Sequence, residues 1–168
     1  MKKAKAYHYR SYRSPAGLLH LWATSAGISA LCFAKKPLVP GANVVKAGKG
    51  PDPFKGIVKQ LDQYFKGRPV KFVYQADIPF GTSFQKAVWK KLAELPPGQL
   101  ITYGALAREI KRPKAVRAVG QAVGANPLPI IIPCHRVIMH DMSLGGFSAG
   151  AGWKEKLLMQ ERGELRIL

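Results

Sequence analysis

Asn126-Pro127-Leu128-Pro129-Ile130-Ile131-Ile132-Pro133-Cys134-His135-Arg136-Val137 is the stretch on which the reading of the whole chain turns. Leu128 to Ile132 is an apolar run held between prolines. It is too short for a helix and rich in β-branched side chains, so it reads as a buried strand. Pro133 fixes φ immediately before the cysteine and restricts pairing around it. A stiff backbone therefore delivers a thiol at the end of a buried segment, followed by an imidazole and a guanidinium. Thiols attack as thiolates, and nearby basic or cationic groups make thiolate available. A Cys-His pair also fits a structural cysteine, because free cysteine is among the most buried residue types.

Composition narrows the class. A length of 168 residues allows one large domain or two small ones, and 47% hydrophobic residues can supply a core. No apolar run reaches the roughly eighteen residues of a membrane-spanning helix. Met1-Lys2-Lys3-Ala4-Lys5 is followed by Tyr7-His8-Tyr9-Arg10 and not by an apolar region, so no signal peptide is expected. The formal net charge is +18, from 27 Lys+Arg against 9 Asp+Glu, with the excess spread over both halves. Such a surface favours polyanions, nucleic acid first, with an acidic membrane surface or no specific partner as alternatives. Cys32 and Cys134 form no CxxC, and His8, His20, His135 and His140 make no ligand spacing with them. Neither a metal site nor a cofactor is expected; one disulfide is arithmetically possible, but without a secretory signal a reduced cytoplasmic compartment fits better.

Along the chain, residues 6–34 read as a β-meander with turns at Ser14-Pro15-Ala16-Gly17 and Thr24-Ser25-Ala26-Gly27. Residues 35–53, rich in Lys, Gly and Pro, read as a mobile basic loop. Phe54, Ile57, Val58, Leu61, Tyr64 and Phe65 keep helical spacing and Gly67 closes the helix. Lys71–Gln75 reads as a short strand. Ile78-Pro79-Phe80-Gly81 reads as a linker, dividing the chain into domains 1–78 and 79–168. Thr82-Ser83-Phe84-Gln85 is a capping box. Thr102 is an N-cap for a helix whose inner face is Tyr103, Leu106, Ala107 and Ile110. After Lys111-Arg112-Pro113 a second helix is expected over about Lys114 to Ala125, with Val116, Val119 and Val123 inward. The pair suggests a helix-turn-helix, a pattern shared with many ordinary helix pairs. The second helix carries Ala115, Ala118, Gly120, Ala122, Gly124 and Ala125 outward, with Arg117 and Gln121 as long polar residues besides Lys114. Small residues allow either close approach to DNA without reading sequence or tight helix packing. Trp153, Leu157, Leu158 and Glu161 share one helix face, which puts Glu161 on the buried side. A carboxylate near a helix C-terminus needs a partner, and His135 is the obvious one.

Most of the chain resembles the O6-alkylguanine-DNA alkyltransferases. The matching motifs are Pro79-x-Gly81-Thr82-x-Phe84-Gln85-x-x-Val88-Trp89, Pro97-Gly98-x-x-x-Thr102-Tyr103-Gly104-x-x-Ala107, Arg117-Ala118-Val119-Gly120 and Asn126 to Val137. Leu144-Gly145-Gly146-Phe147-Ser148 and Leu157-Leu158-x-x-Glu161 complete them. Residues 1–78 match the family's N-terminal domain only loosely.

The resemblance implies an α+β, ribonuclease-H-like N-terminal domain followed by a mainly α C-terminal domain with a winged helix-turn-helix. It implies a monomer that binds double-stranded DNA and transfers an alkyl group irreversibly from guanine O6 to Cys134, with O4-alkylthymine left open as a second substrate. The base is flipped out of the duplex. Cys134, His135 and Glu161 would be catalytic, with a water between thiol and imidazole, since side chains on an extended segment alternate in direction. Tyr103, Val137, Ser148 and Asn126 would bind the base or shape its site. Arg117, Thr102, Ala118 and Gln121 would face DNA, with Arg117 filling the gap left by the base. Arg136 is expected to be structural.

The family often has glycine where this chain has Met142 and Ala149. Met142 questions its turn's geometry, and Ala149 could narrow the alkyl pocket. The zinc ligands of some relatives are absent. Two other readings are a non-catalytic damage-recognition protein, which Cys134 argues against, and a sequence-specific regulator, which the small outer helix face disfavours.

Overall fold

The computed structural model describes residues 6–33, 43–45, 52–147 and 150–162. The alternating residues near the N-terminus build an antiparallel meander of β1 (Ala6–Ser14), β2 (Gly17–Thr24) and β3 (Gly27–Phe33). A fourth strand, β4 (Asn43–Val45), lies parallel to β1, giving the order β3-β2-β1-β4. This corrects the expectation of an irregular segment over 35–53. Three residues cannot show a periodicity; the unpaired edge of β1 makes them a strand. Residues 46–51 and 34–42 lie outside the described residues.

Helix α1 (Lys55–Phe65) buries Ile57, Leu61, Tyr64 and Phe65, and Gly67 beyond its end takes φ +76°. The expected strand at Lys71–Gln75 is not a strand. The chain there joins the sheet through the Ile28–Ala76 bridge, where Ile28 N donates to Gln75 O (2.8 Å) and Asp77 N to Ile28 O (2.9 Å). The Gln60 amide occupies both Val73 N (2.6 Å) and Val73 O (2.8 Å), so a side chain takes the place of a neighbouring strand.

The C-terminal half opens with α2 (Ser83–Ala93), whose capping box is fully formed between Thr82 and Gln85. Strand β5 (Ile101–Thr102) leads into α3 (Tyr103–Glu109), capped by the Thr102 hydroxyl, which accepts from Ala105 N at 3.1 Å. Helix α4 is shorter than expected, Val116–Gly124, since Ala115 offers no capping side chain. Its buried stripe is Val119, Ala122 and Val123, whereas Val116, expected inward, is 41% exposed. Ala122, expected outward, is buried where α4 packs on α2, and its carbonyl accepts from the Trp89 indole at 2.8 Å. Strand β6 (Val137–Ile138) pairs with β5 in parallel beside α3 and α4, and α5 (Ala151–Arg162) ends the described chain.

The run Leu128–Ile132 is buried but is not a strand. Pro127, Pro129 and Pro133 each lack an N–H, so a ladder cannot be sustained. Instead the chain folds into a tight turn in which Ile132 N donates to Leu128 O (2.7 Å) and Ile130 takes φ +73°. The residues Cys134–Arg136 form a 3-10 turn and are not extended. Apolar side chains of both halves join one cluster. The edge strand β3 reaches across it: Leu31 N donates to Pro127 O at 2.8 Å, and the Phe33 ring lies 4.4 Å from that of Trp153.

Candidate active site

Asn126 organises the turn that presents the cysteine. Its Nδ2 donates to Ile132 O at 2.7 Å, and its Oδ1 accepts from Leu128 N at 3.0 Å. The amide thus spans the proline-rich turn, bonding backbone on both sides as expected of a side chain with donor and acceptor together. Cys134 follows, 4% exposed, at the floor of a cleft of about 320 Å³. Tyr103 and Phe147 line it on one side, Gly120, Val123 and Gly124 of α4 on the other. A Cβ at Gly120 would meet the Tyr103 ring at 3.8 Å and one at Gly124 nothing, so these glycines border the opening, while Ala122 serves packing.

Burial pushes the Cys134 thiol up to about 11, against the Asn126 amide, nearby backbone N–H groups and the Lys154 charge, which pull it down. The resting group is therefore a thiol. The low-dielectric pocket outweighs its donors, so thiolate has to be generated by a base. Tyr103 is half-buried, and burial with the adjacent thiol raises its phenol also.

His135 is fully buried in the 3-10 turn. Its Nε2 lies 2.7 Å from Glu161 Oε1, while Nδ1 is buried without a partner among the described residues. Burial lowers its pKa, opposed by Glu161. Glu161, its side chain only 3% exposed, takes further bonds from Arg136 Nε (2.7 Å), Arg136 Nη2 (2.8 Å), Tyr64 Oη (3.1 Å) and Gly98 N (3.2 Å). Burial alone would raise this carboxyl; the His135 and Arg136 bonds outweigh it and hold the group well below the usual range.

Three residues here escaped sequence reasoning in whole or part. Arg136, read as structural, bonds Glu161 and also Leu95 O at 2.6 Å. Lys154 is 1% exposed, its Nζ donating to Val137 O (2.6 Å) and to Leu144 O. Burial lowers its pKa, with the Cys134 sulfur acting the other way. Its spacing from Leu157, Leu158 and Glu161 puts it on the same helix face, a signal the sequence did carry. Tyr64 comes from the other half of the chain, and no local pattern announces it. Val137 O accepts one bond from Lys154. Arg117, Ala118 and Gln121 are exposed on α4 near the cleft mouth, and Thr102 is half-buried at the α3 cap. Ser148 and Ala149 lie outside the described residues.

A buried thiol in a cleft, with an imidazole–carboxylate pair behind it and a helix-turn-helix at its mouth, invites comparison with known proteins. The DNA-binding domain described for 6-O-methylguanine DNA methyltransferase matches residues 83–163, and the ribonuclease-like domain of the same protein matches 7–78. The chain belongs to the 6-O-methylguanine DNA methyltransferase family. A methylated-DNA–protein-cysteine methyltransferase of Haemophilus influenzae is 41% identical over 157 residues, 94% of this chain and 87% of that protein. One from Methanosarcina mazei is 40% identical over 162 residues, 95% of this chain and 99% of the relative. The crystal structure of Mycobacterium tuberculosis OGT in complex with DNA superposes with a TM-score of 0.84 at 37% identity, covering 95% of this chain and 96% of that one. Membership of the methyltransferase family bears out the ribonuclease-like N-terminal domain and DNA-binding C-terminal domain expected from the motifs.

Proposed function

We propose that this chain repairs DNA by moving an alkyl group from O6 of guanine to Cys134, once per molecule. The observation that carries the reading is the cleft: its floor is the Cys134 thiol, its walls are Tyr103 and Phe147, and its rim is the glycine-bearing face of α4. A base inside a duplex cannot reach such a floor, so it must be extruded. The exposed Arg117 is suited to fill the vacated stack, with Thr102, Ala118 and Gln121 along the same surface. Ser148 would border O6 and Val137 O would meet the exocyclic amine.

In the transfer, the S–C bond forms as the O6–C bond breaks. His135 receives the thiol proton, through a water at the unpartnered Nδ1, and Glu161 stabilises the resulting imidazolium. The guanine leaves with its charge met by the Tyr103 hydroxyl at N3. A raised resting thiol is compatible with this, since proton removal accompanies attack. The thioether product has no good leaving group, so the protein is consumed. The domain boundary falls at residue 79, and the chain acts as a cytoplasmic monomer needing no cofactor.

The test is incubation with duplex DNA carrying labelled O6-methylguanine. One label per protein on Cys134, and none in Cys134→Ser, is the expected result. Tight binding of the lesion without transfer would favour a damage-recognition role; repaired DNA in excess of protein would refute the stoichiometric reaction.

A further inference from the structure

Glu161 is a buried carboxylate in the last turn of α5, where the helix dipole disfavours negative charge. Five donors converge on its two oxygens, which offer about four lone-pair sites. Oε2 takes Arg136 Nε and the Gly98 N–H. Oε1, the oxygen facing His135, takes His135 Nε2 at 2.7 Å, Arg136 Nη2 at 2.8 Å and the Tyr64 hydroxyl at 3.1 Å. The donors on Oε1 compete, so each sets how strongly that oxygen bonds the imidazole.

We propose that Tyr64, on α1 of the N-terminal half, is a positioning residue for alkyl transfer, holding Glu161 Oε1 against His135 and setting the basicity of that pair. The inference rests on Cys134 as acceptor with His135 and Glu161 behind it. Tyr64 itself is firmly placed. Its ring is buried between Phe65 (5.2 Å between centroids) and Phe72 (5.8 Å). Its carbonyl accepts from Gly67 N at 2.9 Å and from Gln160 Nε2 at 3.3 Å. Two adjacent residues of α5, Gln160 and Glu161, therefore grip the same tyrosine. Burial and the Glu161 charge keep its hydroxyl protonated, so it is a fixed donor. A bond that merely joined the two halves could end on any surface acceptor; this one ends on the oxygen shared with His135.

The charged and titratable groups around the contact are His135, Arg136 and Cys134 of the 3-10 turn and Lys154 of α5. Arg68 and Arg162 add to these, lining a cavity of about 270 Å³ with Tyr64 and Glu161. None but Tyr64, Arg136 and His135 bonds Oε1 among the described residues.

The experiment is single-turnover methyl transfer from an O6-methylguanine duplex as a function of pH, for wild type, Tyr64→Phe and Phe72→Leu. Tyr64→Phe keeps the ring and removes one donor. Its plateau rate falls roughly threefold to tenfold, the fold-change worth one net hydrogen bond. Its acid limb, which reports His135, moves up by roughly half a pH unit or more, because Oε1 becomes the stronger acceptor. Phe72→Leu loosens the same packing and lowers the melting temperature without moving the limb. A wild-type rate and profile in Tyr64→Phe overturn the inference, as does a loss of rate that tracks melting temperature alike in both variants with the limb unmoved. If wild type transfers no methyl, the functional reading falls and the inference with it; if it does, only the Tyr64 assignment is at stake.

Discussion

Cys134 is held by opposing forces. The backbone N–H groups, the Asn126 amide and Lys154 favour sulfur as an anion, while burial at the floor of the cleft disfavours it, and burial prevails at about 11. At pH 8 roughly one thiol in a thousand would be ionised, against roughly a quarter for a free thiol of pKa about 8.5. Iodoacetamide is therefore expected to label Cys134 more slowly in the native protein than in urea at that pH, as read by peptide mass spectrometry. Faster native labelling would mean that the electropositive surroundings win and a thiolate stands ready. The cysteine and its His135–Glu161 backing were legible from the motif. The protonation state was not, because desolvation depends on what closes over the sulfur.

Two elements owe their shape to backbone that ordinary residues resist. Ile130, β-branched and buried, takes φ +73° inside the proline-rich turn, and tertiary packing must hold it there. Met142 takes φ +67° in the turn between β6 and α5. Met142 N donates to Met139 O at 3.2 Å, and Asp141 accepts from Ser143 N at 3.0 Å. The doubt raised by a methionine where relatives often have glycine is thus answered: the left-handed turn is kept, and an L side chain bears the strain. The Met142 side chain is 66% exposed, so little packing is lost with it. Met142→Gly relieves about 1–2 kcal/mol of left-handed strain and costs about 0.4–1 kcal/mol in unfolded-chain entropy. A net gain of roughly 0.5–1 kcal/mol in urea unfolding is expected; no gain, or a loss, would mean that the thioether packs usefully on the turn.

The two halves of the molecule are braced together around the reactive turn. Leu31 of β3 bonds the carbonyl of Pro127, Phe33 packs on Trp153 and Phe147, and Tyr64 reaches Glu161. Stability should consequently depend on the ionisation of the buried site. His135 has its pKa depressed in the fold, so the unfolded chain takes up that proton first and stability falls as pH drops below about 6.5. The Glu161 carboxyl is also depressed, contributing stability above about 4.3 that is lost as pH falls further. Both act in the same direction. The urea midpoint is expected to decline between pH 7.5 and pH 5 and more steeply below about 4.3. A midpoint flat down to pH 5 would show that His135 titrates normally in the fold.

By itself the sequence determined what short-range chemistry can decide. The Thr82–Gln85 box and the Thr102 cap lie within one helical turn, so they formed as read. The meander with its turns and the α1 and α5 faces were legible for the same reason: periodicity and local turn chemistry specify them. The Asn126 role and the Glu161–His135 pair, 26 residues apart, came from the family resemblance together with the buried face of α5. Tertiary structure decided the rest. Leu128–Ile132 has the composition of a strand, yet its prolines remove donors and Asn126 offers another fold of the chain. Lys71–Gln75 lost its strand pairing to one glutamine side chain, and Asn43–Val45 gained one from an open edge. Lys154 and Tyr64 joined the site because burial forces polar groups to find partners, and those partners lie far away in sequence.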